Sequence, residues 1–388
     1  MTPLLLALPW FGILAFLVLM VKLPRELPMP DVLDRERAPS VSIIVPARNE
    51  AVNIVQCVES LAKSEYPNFE IIVVNDRSED ETSALARAVS VGNASRIEVV
   101  EGEELPSDWL GKPWACLQGA RKATGDFLLF TDADTTHRPE LLARAVAGAQ
   151  EDSADLMTVL GRQLMKTFWE RLVQPQVFML MIFRFPDFEK AARNDRWRDA
   201  IANGQFILMP RRSYDAVGRH EAVKDQVVED LALAQIVKRK GLALRIRMAA
   251  DDLDTRMYRS LRELIDGWSK NLFMGGKQSV PAPARPFAAP VFLLTGATLW
   301  LAPPLVLVAS LTGFGTGSTL AWSATVYVVS ACIYGLFTHY MRGPGHYGAL
   351  YPLGALVGTY IVGRSWLRGR NVEWKGRRYT LPSLSDWP

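Results

Sequence analysis

The chain has 388 residues, enough for one large domain or two of ordinary size. Its 44 Lys and Arg nearly cancel 41 Asp and Glu, so no global field points to nucleic acid as a partner. Cys57, Cys116 and Cys332 are odd in number and widely spaced, which excludes a disulfide framework and a CxxC metal site, suits a reducing compartment and leaves them as packing residues.

The composition is 49% hydrophobic, and the excess is concentrated at the two ends. Residues 3–21 carry no charge and are long enough to cross a bilayer as a helix. No basic residue precedes them and no small-residue cleavage signature follows, so they read as an uncleaved anchor. Lys22, Arg25, Arg35 and Arg37 come next and place the following domain in the cytoplasm. Pro24, Pro28, Pro30 and Pro39 make residues 22–40 a stiff linker.

Val41–Ala47 then reads as a strand, followed by an amphipathic helix from Glu50 to Lys63 with Ile54, Val58 and Leu61 on one face. Glu70–Asn75 is a second strand, Glu81–Val91 a helix, Arg96–Val100 a third strand and Pro113–Ala123 a helix. Gly125–Thr131 is a fourth strand, and Pro139–Gln150 a helix with Pro at its start. Alternating strands and helices of this length predict a mainly parallel, Rossmann-like α/β sheet with ligands at the carboxyl ends of its strands. Arg48, Asn49, Glu50, Asp76 and the pair Asp132 and Asp134 all fall on that rim. Read as an extended segment, Asp132 and Asp134 face the same way and can share one divalent cation, which can also hold a diphosphate; the alternative is a solvated strand-to-loop turn, where Asp is common. The first turn, Pro46 to Glu50, contains no glycine, which disfavours a dinucleotide site and hydride transfer.

Ala154–Gly161 is expected as an edge strand, and 168–188 as an interfacial segment rich in aromatics and Arg, with core helices as its alternative. Asn203–Met209 is a strand whose polar start faces the rim, Glu229-Asp230 heads a helix ending at Lys240, and Leu242–Met248 is a half-buried strand. Leu261–Phe273 is amphipathic. Apolar stretches follow at 287–311, with Pro303-Pro304 inside, and at 320–340, and a shorter one at 347–363 contains several glycines. Six basic residues between Arg364 and Arg378 belong in the cytoplasm, which three full crossings would not allow. The third stretch is therefore read as re-entrant or interfacial.

The ordered segments VSIIVPARNE, VVNDRSEDET, GKPWACLQGARKATGDFLLFTDADT, NGQF and VVED resemble the motifs of family 2 glycosyltransferases with a GT-A fold, over about 41–275. RMYRSLRELIDGWSKN and the terminal WKGRRY make the chain most similar to the hopanoid-associated and carotenoid-glycosylating members. The resemblance implies a GT-A domain at 41–280 after an anchor at 1–21 and the linker. It also implies a C-terminal membrane region at 287–366, a basic tail at 367–388, and a multi-pass protein of a bacterial-type inner membrane.

The same resemblance implies that Pro46, Arg48, Glu50 and Asp76 hold the nucleoside of a UDP-sugar, with Asp76 accepting a bond from uracil. Lys112 would lie near the nucleotide or phosphates, and Asp132 would touch the sugar or ribose while Asp134 binds Mg2+ or Mn2+. Asp230 would be the base of an inverting, metal-dependent hexose transfer to a membrane-lipid hydroxyl, with Glu229 as the alternative base. Asn203 and Gln205 are acceptor contacts or strand-edge residues, Glu50 has a helix-start alternative, and His137 is a third metal ligand or a solvated side chain. Arg259, Arg262 and Trp268 depart from the Gln- or Arg-x-x-Arg-Trp motif of processive synthases, because Glu263 follows Arg262. That argues against polymer synthesis and leaves those three to cover the diphosphate or line the acceptor entrance. Transfer to a polyprenyl phosphate, and a lipid-binding scaffold on a GT-A fold, are the competing readings.

Overall fold

A computed structural model of the chain describes residues 5–30, 38–280, 282–369 and 371–380. The chain divides into two compact units.

The larger unit comprises Leu23–Leu164, Phe188–Met257 and Arg370–Pro388. Its strands are β1 (Val41–Ala47), β2 (Phe69–Asn75), β3 (Ile97–Glu101), β4 (Phe127–Phe130), β5 (Thr135–His137) and β6 (Leu156–Leu160). After these come β7 (Arg162–Gln163), β8 (Ile207–Pro210), β9 (Leu244–Met248), β10 (Leu253–Thr255), β11 (Asn371–Trp374) and β12 (Arg377–Thr380). Seven of them form one sheet in the order β3-β2-β1-β4-β8-β6-β9, parallel except for β8, which runs against both β4 and β6. All seven residues of β2 are buried, as its unbroken apolar run requires of a strand covered on both faces. The Ile54–Ala62 helix covers one face with the predicted Ile54, Val58 and Leu61, none more than 2% exposed.

Several expectations need correcting. The strand at Leu156–Leu160 is interior rather than an edge, because β9 pairs outside it. The strand expected from Asn203 begins at Ile207, since Phe206 N–H returns to the Asn203 carbonyl and turns the chain first. The linker is docked in part: Met248 N–H donates to Arg25 O, Leu27 N–H donates to Met248 O, and Leu27 is buried. Arg144 fastens it with a 2.6 Å bond to Leu27 O. In the basic tail, residues 371–380 form the β11–β12 hairpin within this unit, and residues 381–388 lie outside the described ones.

The smaller unit, Met1–Lys22, Met165–Asp187 and Tyr258–Gly369, is helical. The N-terminal helix is described over Leu8–Leu19, 12 residues, shorter than the roughly 20 needed to span a bilayer. Phe168–Arg184 is one continuous helix in place of an interrupted segment, opened by a Thr167–Glu170 capping box and holding Pro175 in its interior. Arg285–Leu311 and Gly317–Tyr340 are long and apolar enough to cross a membrane. The first is broken by a π turn at Ala297–Leu301 just before the two prolines. Pro303 has no N–H for the carbonyl four residues back, and Trp10 Nε1 fills that place with a 2.9 Å bond to Leu299 O. Tyr351–Arg368 is a continuous helix of 18 residues, so the third stretch does not turn back on itself.

Candidate active site

The rim is built by strand register. Ala47 lies opposite Asn75 at the ends of β1 and β2, and Asp76 N–H donates to Ala47 O at 2.8 Å. The residues just beyond, Arg48 and Asp76, are therefore neighbours. Both turns contain a non-glycine in the left-handed region, Asn49 with φ 51° and Arg77 with φ 53°. Such strain persists only where surrounding contacts fix it. Arg48 supplies them: it is buried, and Nη1 donates to Asp76 O at 2.8 Å and Arg77 O at 2.5 Å. Its guanidinium braces the turn. Pro46 lines the neighbouring cleft.

Beyond β4 the chain leaves the sheet at once, and Ala133 and Asp134 form a turn. The two carboxylates of the DxD are thus brought together by a turn, held by Thr135 N–H and Oγ1 on Asp132 O at 3.3 and 2.7 Å, rather than by strand alternation. Burial, then the charges of Asp132 and Glu50, push the Asp134 carboxyl well above the ordinary range. Its Oδ1 is buried with no partner. A buried, repelled carboxylate oxygen without a donor is what a divalent cation would satisfy, with diphosphate and water oxygens filling the other positions. Among the described residues, no group of three or more His, Cys, Asp or Glu side chains is arranged around a metal. His137 is not a third ligand. It is buried, its Nε2 lies 3.0 Å from both Thr131 and Thr135 hydroxyls, and burial lowers its pKa to about 3.

Lys112, in the first turn of the Gly111–Lys122 helix, bridges Asp132 Oδ1 and Glu229 Oε1 at 2.7 Å each. Burial lowers its affinity for a proton, but Asp132, Glu229 and Asp230 together more than reverse this. Lys112→Met would leave two carboxylates without their cation, at a cost of about 3 kcal/mol. A lower urea midpoint with an unchanged slope is the expected measurement.

Among the described residues Asp230 is in no ion pair, although the charge of Lys112 acts on it. Its Oδ2 accepts from Gly204 N–H at 2.8 Å and its Oδ1 from its neighbour Leu231 N–H at 2.7 Å, at the start of the Glu229–Arg239 helix. Burial first, then Glu229, raise its pKa above the ordinary carboxylate value. With Glu229 engaged in an ion pair with Lys112, Asp230 is the stronger candidate base. It lines one cleft with Asp132, Lys112, Thr131 and Gly204.

Gly204 was not singled out by sequence, yet a Cβ there would lie 2.9 Å from Asp230 Oδ2 and 3.1 Å from Lys112 Nζ. Gly204→Ala should displace Asp230 and lower kcat by about tenfold, ~1.4 kcal/mol, with donor KM unchanged in steady-state assays. Gln205 is buried and Asn203 half-buried, and both are bonded within the chain. Asn203 Nδ2 donates to Val159 O at 3.0 Å, and Gln205 Oε1 accepts from Thr255 Oγ1 at 2.9 Å and Gln163 Nε2 at 3.0 Å. These amides hold the turn that presents Gly204.

Glu50 Oε1 pairs with Lys375 at 2.9 Å, and Asp76 Oδ2 with Arg377 at 2.6 Å. Neither cation was expected at the rim; the alternation around Lys375-Gly376 was the available signal for a hairpin there. Arg259, Arg262 and Trp268 belong to the helical unit. Arg262 is 93% exposed beside Asp266, and Trp268 packs edge-on against Phe178 and Tyr258.

Residues 42–218 match the family described as Glycosyl transferase family 2. The chain is 28% identical over 354 residues to 4,4'-diaponeurosporenoate glycosyltransferase of Staphylococcus aureus strain MRSA252, covering 88% of each chain. It is 26% identical to the same-named protein of strain USA300, again over 88% of each. Among solved structures it is similar to the mannosyltransferase PcManGT of Pyrobaculum calidifontis in complex with GDP-Man and Mn2+, with 19% identity and a TM-score of 0.53, covering 95% of this chain and 94% of that one. That likeness is one of fold.

Proposed function

We propose that this chain, a glycosyltransferase whose residues 42–218 are a family 2 domain of GT-A fold, moves one hexose from a UDP-sugar to the hydroxyl of a carotenoid- or hopanoid-like membrane lipid. The observation that carries the reading is Asp230: a half-buried carboxylate of raised proton affinity, in no ion pair among the described residues, on the cleft that Asp132 also lines.

In this reaction the acceptor oxygen attacks the anomeric carbon from the face opposite the leaving diphosphate, so the configuration inverts. The new C–O bond forms as the old sugar–phosphate bond breaks. Asp230 takes the acceptor proton and is positioned for it by two backbone N–H groups. Asp134 and Asp132 would hold Mg2+ or Mn2+, which when bound stabilises charge on the departing diphosphate. Lys112 pairs with Asp132 and adds positive charge beside it. Thr135 fixes the turn that carries both aspartates.

The lipid acceptor is supported by the Staphylococcus relatives, whose name specifies a carotenoid acid. It is supported also by the Arg285–Leu311 helix, apolar over 27 residues and only 6% buried over its most apolar stretch. Water-exposed apolar surface on that scale is costly, whereas lipid covers it at no cost. The family 2 domain then works on the cytoplasmic face, as the basic residues after the N-terminal helix favour.

The test uses the full chain in nanodiscs with UDP-hexoses, Mn2+ or Mg2+, and a hydroxylated or carboxylated carotenoid. UDP release that depends on both metal and lipid, with a glycosylated lipid by mass spectrometry, is expected. UDP-sugar left intact under every pairing would overturn the reading.

A further inference from the structure

The β11–β12 hairpin joins its strands through Lys375 and Gly376, with φ of 48° and 82°, a tight two-residue turn matched to the twist of the strands. The turn delivers two cations and one carbonyl to the ends of β1 and β2. Lys375 Nζ meets Glu50 Oε1 at 2.9 Å and donates to Asn49 O at 3.3 Å, while Lys375 O accepts from Arg48 Nε at 3.1 Å. Arg377 Nη1 donates to Asp76 Oδ2 at 2.6 Å, and Nη2 reaches Asp76 O at 3.5 Å.

Asp76 is 1% exposed, and its second oxygen, Oδ1, is buried with no partner. An orphaned acceptor of this kind costs roughly 1–3 kcal/mol, so its retention points to a donor supplied from outside the chain. One oxygen is thus fixed and the other is left without a partner. Burial favours a proton on Asp76, opposed by Arg377, Arg48 and Arg77, so the hairpin's guanidinium helps keep the group an acceptor.

We propose that the terminal hairpin completes the nucleoside end of the donor site, with Arg377 as the positioning residue that pins Asp76 so that Oδ1 accepts from a protonated ring nitrogen of the base. This rests on the donor-site reading above. Uracil and guanine carry such an N–H; the corresponding ring nitrogens of cytosine and adenine are acceptors and would face a carboxylate lone pair. Lys375, clamped on Glu50, sets the hairpin's register against the rim.

The test is calorimetry of UDP, GDP, CDP and ADP with Mn2+ on the full-length protein. Wild type should bind UDP or GDP at least tenfold more tightly than CDP and ADP. Arg377→Ala should weaken the preferred nucleotide about tenfold and flatten the selectivity, and Arg377→Lys should restore most of both. Adding Arg377→Ala to Asp76→Ala should cost nothing further, as expected of two residues acting as one. If Arg377→Ala unfolds, Arg377→Gln carries the same expectation, and a match in melting temperature separates positioning from folding. Wild-type affinity and selectivity in these variants would overturn the inference. Unchanged binding in Asp76→Ala would instead overturn the donor-site reading itself.

Discussion

Asp230→Asn is expected to lower turnover by about 10³-fold while donor affinity stays within twofold, read as UDP release and by calorimetry with Mn2+. General-base assistance contributes roughly 10²–10⁴ in rate, and the amide keeps the shape and one of the two backbone bonds but takes no proton. The acid side of the pH profile gives a second readout. Because burial and Glu229 raise the proton affinity of Asp230, kcat should fall with acidification at a higher pH than an ordinary carboxylate would show, and the variant's residual rate should lose that limb. The sign for stability is opposite to that for activity. A carboxyl whose folded pKa exceeds its unfolded value near 4 opposes folding once ionised, a cost that grows as pH rises and is relieved by acid. Although the amide forfeits one backbone bond, Asp230→Asn should therefore compare more favourably with wild type in melting temperature at pH 7 than at pH 5. Near-wild-type turnover would mean that the acceptor arrives already anionic, as a polyprenyl phosphate or a carotenoid carboxylate does, and would remove Asp230 from the mechanism.

How far the site was legible depended on whether the physics was local. β1 and β2 were readable because strands buried on both faces are unbroken apolar runs, and the rim followed from where those runs stop. The reversal of β8 was not readable, since alternation of side chains is the same in either direction. The interior position of β6 depends on where β9 docks, which neither segment encodes alone. Asn203 and Gln205 look the same in sequence whether they bind a ligand or one another, and here they meet Val159, Thr255 and Gln163. The hairpin was the largest omission: Arg377 reaches Asp76 across 301 positions, and a run of basic residues ordinarily reads as a solvated tail. Gly204 escaped for the converse reason, because its function is the lack of a side chain beside Asp230.

The two aspartates of the DxD should respond in opposite ways to the same amide replacement. Asp132 has a cation within 2.7 Å, so Asp132→Asn removes an ion pair with Lys112 and should lower the melting temperature in metal-free buffer. Around Asp134 the repulsion of Asp132 and Glu50 exceeds the attraction of Lys112 and Lys375, and one buried oxygen has no partner. Asp134→Asn should raise the metal-free melting temperature, by roughly 2–4 °C if the relieved repulsion is about 1 kcal/mol. Excess Mn2+ reverses the order, because a ligand that binds only the folded state stabilises it, and only the wild type retains both carboxylates. Turnover should fall by about 10² or more in Asp134→Asn, through lost charge neutralisation at the leaving diphosphate. A stability gained without metal and forfeited with it is what distinguishes a group kept for binding a cation from one kept for packing. An Asp134→Asn protein that melts below wild type in chelator, or that keeps a Mn2+-dependent shift of full size, would show that this carboxylate is held for some other reason.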